Sequence, residues 1–292
     1  MMKPTRRSLL GALFASTGVS PAPQERIRVG AHPWVYAAPR PKNDIYGILD
    51  EIFADMAWAG MDFIELMHTA LEPDEAVSRI RELSAQHNLP VIGSSYGADM
   101  WRREEHSRIL EYADRFTERL AQVGGRLVGV SVGNARRRKT EAELDAQAEL
   151  LVRLRRICQG RGITLNLHNH TYEVENDERD LKGTLARLPD IKLGPDIDWL
   201  VGAGVDPVDF IRRHRDRIVY AHLRDRKSDG VWSEAMGEGS IDYRAVARAL
   251  REIGFQGDLA IELAHPRDFR PTRPLRESLK ISRRYVREAM GY

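Results

Sequence analysis

Eight short apolar runs, each followed by a stretch with helical periodicity, recur along this chain, and no other feature limits its fold as strongly. The runs begin near Ile27, Phe63, Val91, Leu127, Thr164, Lys192, Ile218 and Leu259. Over residues 27–292 the spacing is about 33 residues, enough for a strand, a helix and their turns. The intervening segments carry helix signals. Ile45, Ile48, Leu49, Ile52, Phe53 and Met56 form one apolar stripe that ends at Gly60. Ile109, Leu110, Ala113, Phe116, Leu120 and Val123 form a second, ended by Gly124-Gly125. Thr140 with Glu143 reads as a capping box for a helix that Gly160 closes, and Asp206-Pro207 as an N-cap with a first-turn proline. The helix between the fifth and sixth runs reads as short, about Leu181 to Leu188.

Eight parallel strands with helical returns close most simply into a (β/α)8 TIM barrel, here a single α/β domain over residues 27–292. A doubly wound sheet is the alternative. It calls for a glycine-rich phosphate loop after the first strand, where this chain has Gly30-Ala31-His32-Pro33-Trp34. Residues 1–26 read as a separate export segment. Lys3, Arg6 and Arg7 precede the apolar run Leu9 to Val19, with no acidic residue before Glu25. The string Thr5-Arg6-Arg7-Ser8-Leu9-Leu10 suits a twin-arginine signal peptide, which implies a periplasmic or secreted protein. The run is too short to span a bilayer, so no stable membrane anchor is expected. The other reading is a basic tail on a cytoplasmic protein. With 45 basic and 43 acidic residues the net charge is +2, which gives no reason to expect a nucleic-acid partner. The single Cys158 excludes an internal disulfide and a cysteine metal cage.

Side chains alternate across a strand, and that parity picks out four polar residues. His168 opposes Leu165 and Leu167, and Asp196 opposes Ile191 and Leu193. His222, with Tyr220 and Arg224, opposes Val219, Ala221 and Leu223, and Glu262 opposes Leu259, Ile261 and Leu263. All four fall near C-terminal strand ends, where barrel sites are built. Two imidazoles and two carboxylates suit one divalent metal ion, Mn, Co, Zn or Fe in preference to Mg. Such a centre polarises a carbonyl and acidifies the neighbouring C–H, giving a metal-stabilised enediolate. Returning the proton elsewhere isomerises or epimerises the substrate, and losing a β-hydroxyl dehydrates it.

Five motifs make the chain resemble the xylose isomerase-like TIM-barrel superfamily, in particular the HNH-type branch of the sugar phosphate isomerase/epimerase family. They are His168-Asn169-His170, Asp196 through Trp199 with Ala203 to Pro207, His222-Leu223-Arg224-Asp225, Gly237-Glu238-Gly239 and Ile261-Glu262-Leu263. In the epimerases of that superfamily the ligands on strands five to eight are Glu, Asp, His and Glu. Asp196, His222 and Glu262 match, whereas His168 stands where the glutamate stands. The resemblance implies Glu262 as general base and metal ligand, His168 as ligand or acid–base group, and Glu173 as a second carboxylate. The endonuclease branch does not fit, because Trp199 stands where it has a histidine and Gly-Glu-Gly-Ser where it has Asp-x-His.

Further substrate-binding candidates are Glu65, inward by parity, His32 and Trp34 at the end of strand one, and Trp199, Arg224 and Glu238. Trp232 is a second stacking candidate, His170 a partner that orients His168, and Asp225 either a loop cap or a residue that acts in the site. The run Arg136 to Lys139 reads as a solvated helix entry. The first functional reading is a metal-dependent sugar or cyclitol isomerase or epimerase. The second is a lyase or dehydratase acting on a keto-sugar or inosose, and the third a non-catalytic secreted carbohydrate-binding barrel. The partner is a small carbohydrate, and the resemblance leaves room for a homo-oligomer.

Overall fold

Parallel strands cannot be joined by tight turns, so each return runs over the sheet as a helix and buries both faces. The computed structural model, which describes residues 26–266 and 268–292, follows this rule throughout. Apart from Arg26, the proposed export segment lies outside the described residues. The strands are β1 Val29–Ala31, β2 Ile64–Met67, β3 Val91–Gly97 and β4 Leu127–Ser131. They continue as β5 Thr164–Leu167, β6 Lys192–Leu193, β7 Tyr220–Leu223 and β8 Asp258–Ile261. The main outer helices are α1 Leu49–Trp58, α2 Ala76–His87, α3 His106–Gln122, α4 Glu141–Gln159 and α5 Thr171–Arg187. After these come α6 Ile197–Gly202, α7 Pro207–Arg213, α8 Tyr243–Glu252 and α9 Leu275–Tyr285.

The strands form one parallel sheet in the order β6-β5-β4-β3-β2-β1-β8-β7. The ring closes between β6 and β7 through the bridge Leu193 to Ile218. There Leu193 N–H donates to the Arg217 carbonyl and Val219 N–H to that of Leu193, each at 2.9 Å. This is a (β/α)8 TIM barrel. β6 is short because Pro195 has no N–H to continue the ladder, yet its carbonyl still accepts from His222 N–H at 2.9 Å.

Outward strand residues such as Leu165, Leu193, Ala221, Leu223 and Ile261 join the main core under the helices. The lumen is filled separately by Phe63, Ile92, Tyr220 and Ala260. Gly30 makes room for that filling, since a Cβ there would lie 2.2 Å from the Phe63 ring. At the N-terminal end of the barrel, Asp258 accepts from Arg28 Nε at 3.0 Å and Nη2 at 2.9 Å and also pairs with Arg126. The sequence reading of eight strand-helix units is borne out, and two local signals hold in detail. Glu143 N–H donates to Thr140 Oγ1 at 3.2 Å while Thr140 N–H donates to Glu143 Oε2 at 2.8 Å. Asp206 Oδ1 caps Val208 and Asp209 N–H at 2.8 and 3.0 Å.

The fifth helix adds a piece to the expectation. The expected short element near Leu181 to Leu188 is the second part of a span, Thr171–Arg187, whose first turn precedes a break. Glu175 is extended, and Asn176, Asp177 and Glu178 take the left-handed conformation (φ 52°, 58° and 56°). Such a run of non-glycine residues is strained. Its anchor is the buried Glu178 carboxylate, which takes two hydrogen bonds from Arg213 of α7 at 2.7 and 3.0 Å. Because the lumen packing around Phe63 leaves no volume at position 30, Gly30→Ala should destabilise the fold by about 1–3 kcal/mol in urea unfolding. An unchanged midpoint would show that the barrel floor is not close-packed.

Candidate active site

The expected ligands converge. One ligating atom from each of His168, Asp196, His222 and Glu262 lies within 4.8 Å of the others, and all four residues are buried. Each is held from behind. His222 Nε2 donates to Glu65 Oε2 at 2.6 Å, and the same oxygen accepts Tyr220 O–H at 2.9 Å. His222 Nδ1 faces His168 Nδ1 at 2.7 Å. Asp196 sits beyond the end of β6, clamped by Asn169, whose Oδ1 accepts Asp196 N–H at 3.1 Å and whose Nδ2 donates to the Asp196 carbonyl at 3.3 Å. Asp196 Oδ1 also caps Trp199 N–H at 3.1 Å. Glu262 Oε1 lies 3.3 Å from His32 Nδ1, and His32 Nε2 is bonded to Ser95 Oγ at 2.8 Å.

Two arginines enter this cluster. Arg224 Nη2 donates to Asp196 Oδ2 at 2.5 Å and lies 3.5 Å from Glu262 Oε2. Its guanidinium is 5.0 Å from the Trp199 ring centroid and 5.4 Å from that of Trp232. Asp198, completely buried, accepts from Arg226 Nε and Nη2 at 2.6 and 2.8 Å and from Trp232 Nε1 at 2.9 Å. The buried carboxylates Asp196, Asp198 and Glu262 thus face two guanidinium groups, while Glu65 faces His222. With neutral histidines this leaves net negative charge that one divalent cation would offset. Buried charge needs such compensation. The donor set therefore fits a divalent metal held by His168, Asp196, His222 and Glu262.

Without a cation, the protonation states follow the same balance. Burial disfavours the His222 imidazolium, but Glu65 and Glu262 hold its pKa up to about 9. Burial and the neighbouring His222 push His168 well below the usual histidine range. Burial alone would raise Glu262, yet His32, Arg224 and His222 keep it below the carboxylate range. Asp196 is raised by burial, which outweighs Arg224.

The cluster forms the floor of an open cavity of about 690 Å³. His32, His168, His222, Arg224 and Glu262 contribute its polar surface, while Trp34, Tyr96, Tyr172, Trp199 and Trp232 contribute aromatic walls. Aromatic faces beside a few convergent polar groups suit a small polyhydroxylated ligand. His32, Trp34, Trp199 and Arg224 all line this cavity.

The family model of the xylose isomerase-like TIM barrel matches residues 53–285. The chain belongs to this family. An inosose dehydratase of Geobacillus kaustophilus (strain HTA426) is 28% identical over 156 residues, covering 44% of this chain and 50% of that protein. The chain thus spans about half the length of the curated relatives it matches. Among solved structures, an L-ribulose 3-epimerase superposes with a TM-score of 0.74 at 21% identity, covering 91% of this chain and 95% of the other. A D-allulose 3-epimerase from Methylomonas sp., solved in complex with D-allulose, gives 0.73 at 17% identity, covering 90% and 97%. These structural likenesses establish the fold alone.

Three expected family positions are not on the cavity wall. Glu173 is buried, but Val132 N–H donates to its Oε1 at 2.9 Å and His170 N–H to its Oε2 at 2.5 Å, so it works as a capping-box residue of α5. Glu238 turns to Arg273 at 2.6 Å and accepts Ala235 N–H at 3.1 Å. Glu65 does face inward, but beneath His222, where it is 1% exposed. Of its two readings, Asp225 takes that of the loop cap, accepting from Gly237 and Gly239 N–H at 2.9 and 3.0 Å. The sequence reading missed the roles of Asn169 and Asp198, although both lie inside motifs it used. Asp198→Asn should cost about 2–4 kcal/mol in chemical unfolding, because two arginines lose their buried counter-charge. A loss under about 0.5 kcal/mol would mean that the two arginines are satisfied without it.

Proposed function

We propose that this barrel is a metal-dependent enzyme that removes a proton next to the carbonyl of a small keto-sugar or inosose. The convergence of one ligating atom each from the buried His168, Asp196, His222 and Glu262 within 4.8 Å carries this reading. A bound divalent ion would polarise the substrate carbonyl and acidify the adjacent C–H. Glu262 is the general base: its carboxylate is ionised, opens on the cavity and lies 3.5 Å from Arg224 Nη2. Arg224 is placed to bind a substrate oxygen that gains negative charge. Trp34, Trp199 and Trp232 exclude water and stack on the carbon skeleton.

Lyase chemistry, with loss of a β-hydroxyl as water, is the outcome this geometry favours. Epimerisation by two carboxylates on opposite faces needs a partner for Glu262, and both oxygens of Glu173 are taken by backbone N–H groups. One base and one acid suffice for dehydration. His170 suits the acid: it lines the cavity at the end of β5, three strands round the ring from β8, with Nδ1 held by Ser131 Oγ at 3.1 Å. The inosose dehydratase relatives support the same choice. Isomerisation or epimerisation is the second reading, with His168 in place of the second carboxylate, and the epimerase folds support it. A purely binding barrel would have no use for an ionised base beside this charge cluster.

Protein purified without chelator should contain about one equivalent of a divalent transition metal, and Asp196→Ala should lose it. Keto-sugars and inososes incubated with it in deuterated water separate the two reactions. A dehydratase releases water and builds a near-ultraviolet chromophore, whereas an epimerase exchanges the carbon-bound hydrogen and keeps the skeleton. Glu262→Gln should lower either rate by about 10²–10⁴-fold, and full activity in this variant would remove Glu262 as base.

We further propose that residues 1–26 direct export by the twin-arginine route. Among the described residues no helix is long and apolar enough to cross a membrane. Replacing Arg6 and Arg7 by lysine should leave the protein in the cytoplasmic fraction, and unchanged export would overturn this reading.

A further inference from the structure

His68 follows β2 and lines the cavity beside Tyr96. It belongs to a proton-ordered chain that nothing in the proposed chemistry uses. Its Nδ1 lies 2.6 Å from the Tyr112 hydroxyl, and that hydroxyl donates to Glu72 Oε1 at 2.6 Å. A phenol has one proton. The exposed Glu72 carboxylate can only accept, so the Tyr112 proton is committed to it and the phenol oxygen must accept from His68. His68 therefore carries its proton on Nδ1, and Nε2 keeps a lone pair. Burial lowers the His68 pKa to about 4, which keeps the ring neutral. Nε2 has no partner among the described residues, and it is not among the buried polar atoms left unsatisfied, so it reaches solvent.

The ring cannot readily turn to reverse this polarity. Tyr96 and Tyr112 meet it edge-on at centroid distances of 5.0 and 5.4 Å, and Phe116 packs at 6.1 Å. The loop that carries Glu72 is pinned as well, because Arg119 donates to the carbonyls of Leu71 and Pro73 at 2.9 and 3.0 Å and to Asp74 at 2.8 Å. A half-buried side chain whose tautomer is set by two further residues is an expensive way to fill space, and the residue lines the cavity.

We infer that His68 is a specificity-determining residue whose Nε2 accepts a hydrogen bond from a substrate hydroxyl away from the reacting carbons, with Tyr112 and Glu72 as positioning residues that fix its tautomer. The inference rests on the cavity being a polyol-binding site, as proposed above. It selects hydroxylated ligands over deoxy analogues, since a site built to pair with a hydroxyl is left unpaired when the hydroxyl is missing.

Nitrogen-15 NMR of the histidines in the full chain, free and zinc-loaded, tests the tautomer without any turnover. The His68 signals should report a neutral ring with Nε2 unprotonated near pH 7, and Tyr112→Phe should move the proton toward Nε2. A wild-type ring with Nε2–H overturns the inference whatever the enzyme acts on. The second arm compares the keto-sugar or inosose that the deuterium experiment identifies with its deoxy analogues. His68→Phe should lower kcat/KM for the hydroxylated substrate roughly tenfold, mainly through KM, and leave that for one deoxy analogue unchanged. His68→Gln, which can still accept, should recover part of the loss. Equal losses on substrate and every analogue would reduce His68 to a packing residue. Lack of turnover on any such compound would instead count against the proposed function while leaving the tautomer result intact.

Discussion

The charge balance at the mouth of the barrel is the constraint on which the rest depends. Desolvating a carboxylate is costly, and this fold desolvates four within one cluster. Arg224 and Arg226 offset two of them and His222 faces a third, Glu65, while a divalent ion held by His168, Asp196, His222 and Glu262 would add the balancing charge. The surrounding architecture serves that arrangement. Tyr220 and Glu65 stand under His222, Asn169 clamps the chain at Asp196, and the two tryptophans cover Arg224. Removing any of these supports exposes or unpairs a charge, which is why buried networks of this kind respond as units.

Much of this was legible in the sequence, though not always for the reason supposed. Strand parity placed His222, Tyr220 and Arg224 in the lumen, and the structure agrees. It also pointed to Asp196, but Pro195 has already ended the strand there, and the residue is brought in by Asn169 and by a bridge to His222. Glu173 illustrates a missed local signal. His170 and Glu173 have the N-cap-to-N3 spacing of a capping box, the same pattern read correctly at Thr140 and Glu143. Spacing thus fixed the fate of Glu173 as a helix-starting residue, while family likeness suggested chemistry.

Other features depended on contacts no local pattern reveals. Glu238 is drawn away from the cavity by Arg273, 35 positions later in the chain. The left-handed run at Asn176 to Glu178 exists because Arg213 of a different helix takes the Glu178 carboxylate. His68 lies past the end of β2, where alternation no longer applies, and its partner Tyr112 comes from α3, 44 residues on. Helix and strand periodicities report which face is buried. They do not report which donor meets which acceptor across the fold.

The packed floor of the barrel also governs traffic. Phe63, Ile92, Tyr220 and Ala260 fill the lumen, and the Arg28–Asp258–Arg126 group stoppers its far end. Among the described residues the cavity is closed toward that end, so in the proposed reaction a product would leave by the route its precursor used. Departure and the next arrival could not overlap, so residence at the entrance, and not only bond-making at the floor, would set an upper bound on the pace of each cycle.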